Sequence, residues 1–240
     1  MALPVQPPQM PCPQADGTGE REFHPDVRSL PVSLVYQDEA LVVVDKPAGM
    51  LVHRSPGVRD PVVVMTWVRD AVGAHAWPVH RLDRHTSGLV VVATTLRAAQ
   101  RMYALFQKGA IRKTYLAAVA GALPASGRIE VPLEKRPGLV QAAVTEYEAL
   151  VSTPGGSVAR IHPLSGRRHQ IRRHFQAIAH PLLGDPVYGD PEQNRSAAER
   201  LGLRRLALHA AHLSFPHPLT GAPLDLDSPL PADLAGALEF

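Results

Sequence analysis

Residues 89–95, LVVVATT, are nearly all apolar, with no polar alternation across the first five positions. A strand of that kind has no side suited to water, so it is expected in the middle of a sheet. Directly ahead of it runs a strongly polar loop, His80-Arg81-Leu82-Asp83-Arg84-His85-Thr86-Ser87-Gly88. A polar loop at the mouth of a central strand suits catalysis, because the sheet holds it rigid. Asp83 sits there among two arginines, two histidines and two hydroxyls. Neighbouring cations favour the ionised form of a carboxylate, which can then serve as nucleophile or base. An Asp that only accepts backbone N–H groups in a tight turn is the common alternative, and local chemistry alone does not separate the two.

The chain, 240 residues long, suffices for one large domain or two small lobes, and its 45% hydrophobic content can build a substantial core. The apolar runs at 41–44, 61–65 and 89–93 fall far short of the roughly 20 residues that cross a bilayer. No cationic stretch followed by an apolar segment opens the sequence, so no secretory signal is read. A soluble, cytoplasmic protein that does not engage membranes is expected. The single cysteine, Cys12, excludes an intrachain disulfide framework and a multi-cysteine zinc site. Net charge is +3, and lysine occurs only at 46, 108, 113 and 135, so the basic residues are mostly arginine. Arginine suits forked contacts to phosphate and stacking on bases, but a genome rich in G and C gives the same bias. Charge therefore favours an RNA partner only weakly.

Residues 1–30 hold Pro4, Pro7, Pro8, Pro11, Pro13 and Pro25 with few large apolar side chains, the composition of a disordered extension. A folded domain is expected over 31–230, followed by a tail over 231–240. Runs at 32–37 and 41–45 flank the acidic turn Asp38-Glu39 and predict a hairpin. Residues 65–72 predict a short helix ending at Gly73. Apolar spacing at Leu96, Ala99, Met102, Tyr103 and Phe106 predicts an amphipathic helix over 96–108, stopped by Gly109. Strands are expected over 113–121 and 206–215, and a hairpin joins 140–152 to 157–162. Residues 168–179 predict a helix burying Ile171, Phe175 and Ile178. Strands and helices mix without regular alternation, which argues for α+β with a largely antiparallel sheet.

Four segments, in order, resemble one family. HRLDRHTSG is similar to the signature loop of the RluA-type pseudouridine synthases. YQDEALVVVDKPAGMLVH (36–53) resembles their N-terminal motif, RKTYLAAVAG (112–121) the strand bearing their essential tyrosine, and LSGRRHQIRRHFQAIAHPLLGDPVYG (164–189) their GR-x-HQIR helix and GD-x-x-YG turn. Ser165 stands where Thr is usual and Ala179 where Gly is common. The resemblance implies the α+β pseudouridine synthase fold, a mixed, mostly antiparallel central sheet flanked by helices, with a catalytic cleft. It implies an isomerase that reattaches uridine through carbon, with RNA as partner, without cofactor or metal, acting as a monomer. An S4-like RNA-binding module is not seen ahead of the motifs. That, with VHRS at 52–55, VVVMTWVRD at 62–70, the doubled Arg172-Arg173 and GDPEQNRS at 189–196, looks most like the branch acting on uridine 65 of tRNA.

Carried onto this sequence, the motif makes Asp83 the nucleophile, Arg172 the arginine that ion-pairs with it, and Tyr115 the aromatic that stacks on the flipped uracil, with a hydroxyl that could also take part in proton transfer at C5 or C2′. Arg81 matches the arginine that enters the space the uridine leaves. Arg168, four residues before Arg172, is expected on the same helix face, making a positive stripe beside the cleft. Arg84, His169 and Arg173 are further candidates for RNA contact. Leu82 and Ile171 are read as packing that walls the uracil pocket. His169 and His174 are five apart on the expected helix and diverge. His209 and His212 are three apart on the expected strand and should face opposite ways, so no histidine metal site is read. Asp45 and Asp185 are read as turn residues, which leaves a glycosidase-like hydrolase without a second placed carboxylate. The same chemistry on ribosomal RNA, or an RNA-binding protein that has lost catalysis, are the rival functions.

Overall fold

The computed structural model describes residues 32–54, 63–73 and 75–236. The extension expected over 1–30 and the last four residues of the expected tail lie outside those residues. In chain order the elements are β1 (Ser33–Gln37), β2 (Leu41–Lys46), α1 (Val64–Val72), β3 (Trp77–Pro78), β4 (Ser87–Ala93) and α2 (Leu96–Gln107). There follow β5 (Arg112–Val119), β6 (Ser126–Ile129), β7 (Leu133–Arg136), β8 (Leu139–Gln141), β9 (Thr145–Thr153) and β10 (Gly156–Pro163). The chain continues through α3 (Gln170–Ala177), α4 (Pro191–Leu201), β11 (Leu208–Pro216), β12 (Pro223–Asp227) and α5 (Ala232–Ala235).

Ten strands form one sheet in the order β1-β2-β4-β11-β5-β10-β9-β6, with β3 added on β4 and β12 on β11. Every pairing is antiparallel except β4 with β11. All seven residues of β4 are buried, and the packing on its two faces explains why the run is continuously apolar. Leu89, Val91 and Ala93 pack toward α2 with Ala98, Ala99 and Met102. Val90 and Val92 pack on the other face with Val64 and Val68 of α1. A strand covered on both faces has no place for polar alternates.

The parallel contact is brief, His209↔Ser87 and Ala210↔Gly88, and antiparallel pairing carries the same row on through Ala210↔Tyr115 and Tyr115↔Ile161. The loop ahead of β4 and the tyrosine of β5 are thereby set side by side at the centre of the sheet. The approach depends on Gly88, whose φ is +110°, and where a Cβ would stand 2.3 Å from the Ala210 carbonyl oxygen. Gly88→Ala is expected to cost about 3 kcal/mol or more from backbone strain and overlap together. Thermal denaturation checks this, and an unchanged Tm would contradict so close an approach.

Three expectations need correction. The helix predicted over 168–179 is shorter, Gln170–Ala177: His169 adopts a left-handed backbone (φ 51°, ψ 29°) at its N-cap, which leaves Arg168 outside the helix, and Ile178 caps the other end. The strand predicted over 140–152 is two pieces: Leu139–Gln141 pairs with β7 in a separate hairpin, and β9 begins at Thr145. Beyond Pro231, where a tail is expected, the chain turns into α5; Leu234 is buried, and Asp233 takes the Arg205 guanidinium through both carboxylate oxygens (2.6 and 2.8 Å). One buried leucine in a four-residue helix leaves too little periodicity to read in sequence.

Candidate active site

The loop carrying Asp83 is clasped from behind. Lys46, fully buried, donates through Nζ to the carbonyls of Pro47 (2.8 Å), Met50 (2.9 Å) and Arg84 (3.0 Å). The Gly49 amide also donates to the Arg84 carbonyl, and Arg84 Nε returns a bond to the Gly49 carbonyl (3.0 Å). Burial pushes the Lys46 ammonium down to about 7, while the nearby Asp83 charge works the other way. The Lys-Pro-x-Gly turn thus shapes the loop without entering the cleft. At the loop's start, His80 Nε2 accepts the Val91 amide of β4 (2.8 Å), a side chain standing in for a strand partner.

In front of the loop lies a cleft of about 1100 Å³. Asp83, Tyr115 and Arg172 all line it, with Arg81, Leu82, Arg168, His169 and Ile171. Arg172 Nη1 donates to Asp83 Oδ2 at 3.2 Å. Asp83 keeps a fifth of its side chain exposed, while Arg172 is nearly buried. Tyr115 packs where two core clusters meet, one holding Leu82 and the other Ile171. Burial, reinforced by the Asp83 charge, pushes its hydroxyl far above the ordinary tyrosine value, so it stays protonated.

Arg172 is held mainly by a residue that its sequence context marks as a turn former. Asp185, fully buried, accepts from Arg172 Nε (2.7 Å) and Nη2 (2.8 Å), and its Oδ1 also accepts the Val187 and Tyr188 amides. Burial alone would push the Asp185 carboxyl up, but Arg172 and the two amides hold it below the ordinary carboxylate range. The Tyr188 ring lies under the guanidinium, 4.9 Å from its carbon, and the hydroxyl meets His169 Nδ1 at 3.0 Å. Both Asp185 and Tyr188 belong to the GD-x-x-YG stretch, which is the signal in sequence that could have found them. Asp185 does cap the turn expected of it, whereas Asp45 is no turn residue and lies within β2.

Not every candidate reaches the cleft. Arg84 is spent on the Gly49 clasp, and Arg173 Nη1 donates to the Glu134 carbonyl of β7 (3.0 Å). Arg168 lines the cleft but stands before the helix, so the expected stripe along one helix face with Arg172 does not exist. A bulge between Ala210 and His212 removes one step of alternation, so His209 and His212 fall opposite Leu116 and Thr114 and share a face. Among the described residues, no group of three or more His, Cys, Asp or Glu is arranged to hold a metal ion, and no helix is long and apolar enough to cross a membrane.

A paired carboxylate beside a protonated tyrosine, in a groove flanked by arginines, suits an extruded base better than a hydrolytic water held between two free carboxylates. The family comparison decides the matter: residues 40–177 match the model of the RNA pseudouridylate synthases. The chain belongs to this family. The synthase is 41% identical over 222 residues to the tRNA pseudouridine synthase C of Salmonella typhimurium, covering 83% of this chain and 85% of that protein. It is 40% identical over 212 residues to the protein of the same name from Pasteurella multocida, covering 79% and 87%. Among solved structures, human RNA pseudouridylate synthase domain containing 4 superposes with a TM-score of 0.72 at 26% identity, covering 86% of this chain and 91% of that one. The α+β pseudouridine synthase fold and the isomerase activity read from the motifs are therefore borne out.

Two histidines give the synthase a pH signature. Burial pushes both His80 and His169 from 6.5 down to about 4. The unfolded chain then takes up these protons first, so their contribution to stability is complete above about pH 6.5 and is lost as pH falls toward 4. Tm measured by calorimetry should decline across that window. A flat profile would mean that both rings are already charged in the fold.

Proposed function

We propose that this synthase isomerises a uridine of tRNA, at position 65 near the junction of the T and acceptor stems, with Asp83 as nucleophile. The observation that carries the chemistry is the pairing of Asp83 with Arg172 at 3.2 Å in the cleft that Tyr115 also lines. The tRNA target is supported by the two relatives at about 40% identity that carry that substrate in their name.

The N1–C1′ bond of a stacked uridine is out of reach, so the nucleotide first swings out of the stack into the cleft. Tyr115 offers a face for the uracil, a contact on the order of 1–3 kcal/mol per base. Arg81, exposed at the rim, offers a guanidinium plane to the bases left behind. Arg172 Nη1 donates to Asp83 Oδ2 and orients the carboxylate, so that the nucleophile is in position at the moment of bond cleavage. The uracil turns and rejoins the sugar through C5. Nothing is oxidised or consumed.

The test is incubation of purified protein with unmodified tRNA and, separately, unmodified ribosomal RNA, followed by carbodiimide labelling and mapping of reverse-transcription stops. One stop at uridine 65 of tRNA is expected. Modification of ribosomal RNA alone would overturn the target, and RNA binding with no pseudouridine in either pool would overturn the chemistry.

A further inference from the structure

Isomerisation moves one proton from C5 to N1, and the proposed mechanism names no group to remove it. We propose that His169 is the general base that takes the C5 proton after the new carbon–carbon bond has formed. The inference rests on the Asp83 reading above but not on which RNA is modified.

Among the described histidines of the cleft, His169 stands out in having a ring nitrogen directed at the nucleophile. Its Nε2 lies 3.8 Å from Asp83 Oδ1. The other cleft histidines make their contacts elsewhere: His80 Nε2 with the Val91 amide, His162 Nδ1 with Thr114 Oγ1 (3.3 Å), and His212 with Asp225 and Asp227 (3.0 and 2.8 Å). Lys113 donates to the Ser165 carbonyl, and the Tyr115 hydroxyl holds its proton too tightly to act as a base. His169 is also kept in a left-handed backbone, φ 51°, a conformation uncommon outside glycine and concentrated at functional sites. Its Nδ1 meets the Tyr188 hydroxyl at 3.0 Å, and that ring is fixed beneath the Arg172 guanidinium. With Nδ1–H donated to Tyr188, Nε2 keeps its lone pair toward the cleft.

The step balances. When C5 of the uracil anion attacks C1′, Asp83 is released as a carboxylate and the ring is left with an N1=C6 bond and a hydrogen on tetrahedral C5. Nε2 takes that proton, the C–H pair becomes the C5=C6 bond, and the N1=C6 π pair moves to N1, which takes a proton from water. The imidazolium is stabilised by the freed Asp83 carboxylate beside it and later returns its proton to solvent. The C1′-ester and glycal routes both end on this step, and an adduct of Asp83 at C6 would lose the same C5 proton as the carboxylate leaves.

The test compares wild-type protein with His169→Asn, because Asn tolerates a left-handed backbone. Single-turnover rates are measured on the modified RNA carrying uridine, 5-deuteriouridine or 5-fluorouridine at the target. On uridine the variant is expected to slow by about 100-fold or more, with a normal primary isotope effect from C5 deuterium. On 5-fluorouridine, which has no C5 proton to lose, the reaction stops at the C-glycoside with its N1=C6 bond, which takes up water at C6; that product should form as fast as with wild type, which also reports that fold and binding are intact. Tyr188→Phe should show the same isotope signature with a smaller slowing. Wild-type rates on uridine would overturn the assignment. Equal slowing on uridine and 5-fluorouridine would overturn it as well, placing His169 in binding or glycosidic cleavage. Failure of the Asp83 reading is seen separately, as turnover by Asp83→Asn on either substrate.

Discussion

Asp83→Asn is expected to lower the single-turnover rate of pseudouridine formation by roughly four orders of magnitude or more, as when a reacting group is removed from a concerted site. The amide keeps the shape of the carboxylate and can still accept from Arg172, so the cleft should keep its form and RNA affinity should change little. What disappears is the negative charge and the nucleophilic oxygen pair. Affinity by filter binding and rate by product mapping are read on the same preparation. A rate within tenfold of wild type, in protein free of deamidated material, would refute the nucleophile.

Asp185→Asn should be the most destabilising change at the site. Arg172 would keep its burial and lose the carboxylate that holds its Nε and Nη2. Leaving one member of a buried ion pair alone costs about 3–5 kcal/mol, which in a chain of this size lowers Tm by roughly 6–20 °C. Activity should fall as well, since Arg172 is then free to follow Asp83 rather than stay fixed while Asp83 reacts. The paired change Asp185→Leu with Arg172→Met should recover much of the lost Tm and none of the activity. If Asp185→Asn alone left Tm unchanged, the ion pair would not be holding the site. The acid limb should change too. The Asp185 carboxyl is held below its usual 3.8 in the fold, so its contribution is present above that pH and is lost as pH falls through the lower folded value. The variant should therefore lose less stability than wild type on acidification.

Asp185 resolves a difficulty in the charge pattern of the site. Arg172 is nearly buried, and Asp83 gives up its charge if it forms a bond to the substrate. A buried cation whose sole partner vanished mid-reaction would be costly. The second carboxylate keeps Arg172 neutralised throughout, and its two shorter bonds, 2.7 and 2.8 Å against 3.2 Å to Asp83, leave the reacting group the more loosely held of the two.

Sequence by itself determined which residues could meet and in what order. The unbroken apolar run of β4 placed that strand in the interior, the polar loop before it marked the mouth of the site, and four ordered motifs named the chemistry. These are short-range signals: strand burial, turn composition and motif spacing are written within a few residues of one another. Tertiary structure decided the rest. Residues 83 and 185 are 102 positions apart (185 − 83), and nothing local distinguishes an aspartate that caps a turn from one that does so while gripping a buried guanidinium. The left-handed His169, which separates Arg168 from the helix of Arg172, depends on Gln170 turning back to accept from Ser165 Oγ and the Arg167 amide. Helical periodicity carries no trace of that competition. The bulge that turns His212 to the face of His209 is equally silent in sequence, because an extra residue in a strand changes its alternation only once a partner strand sets the register.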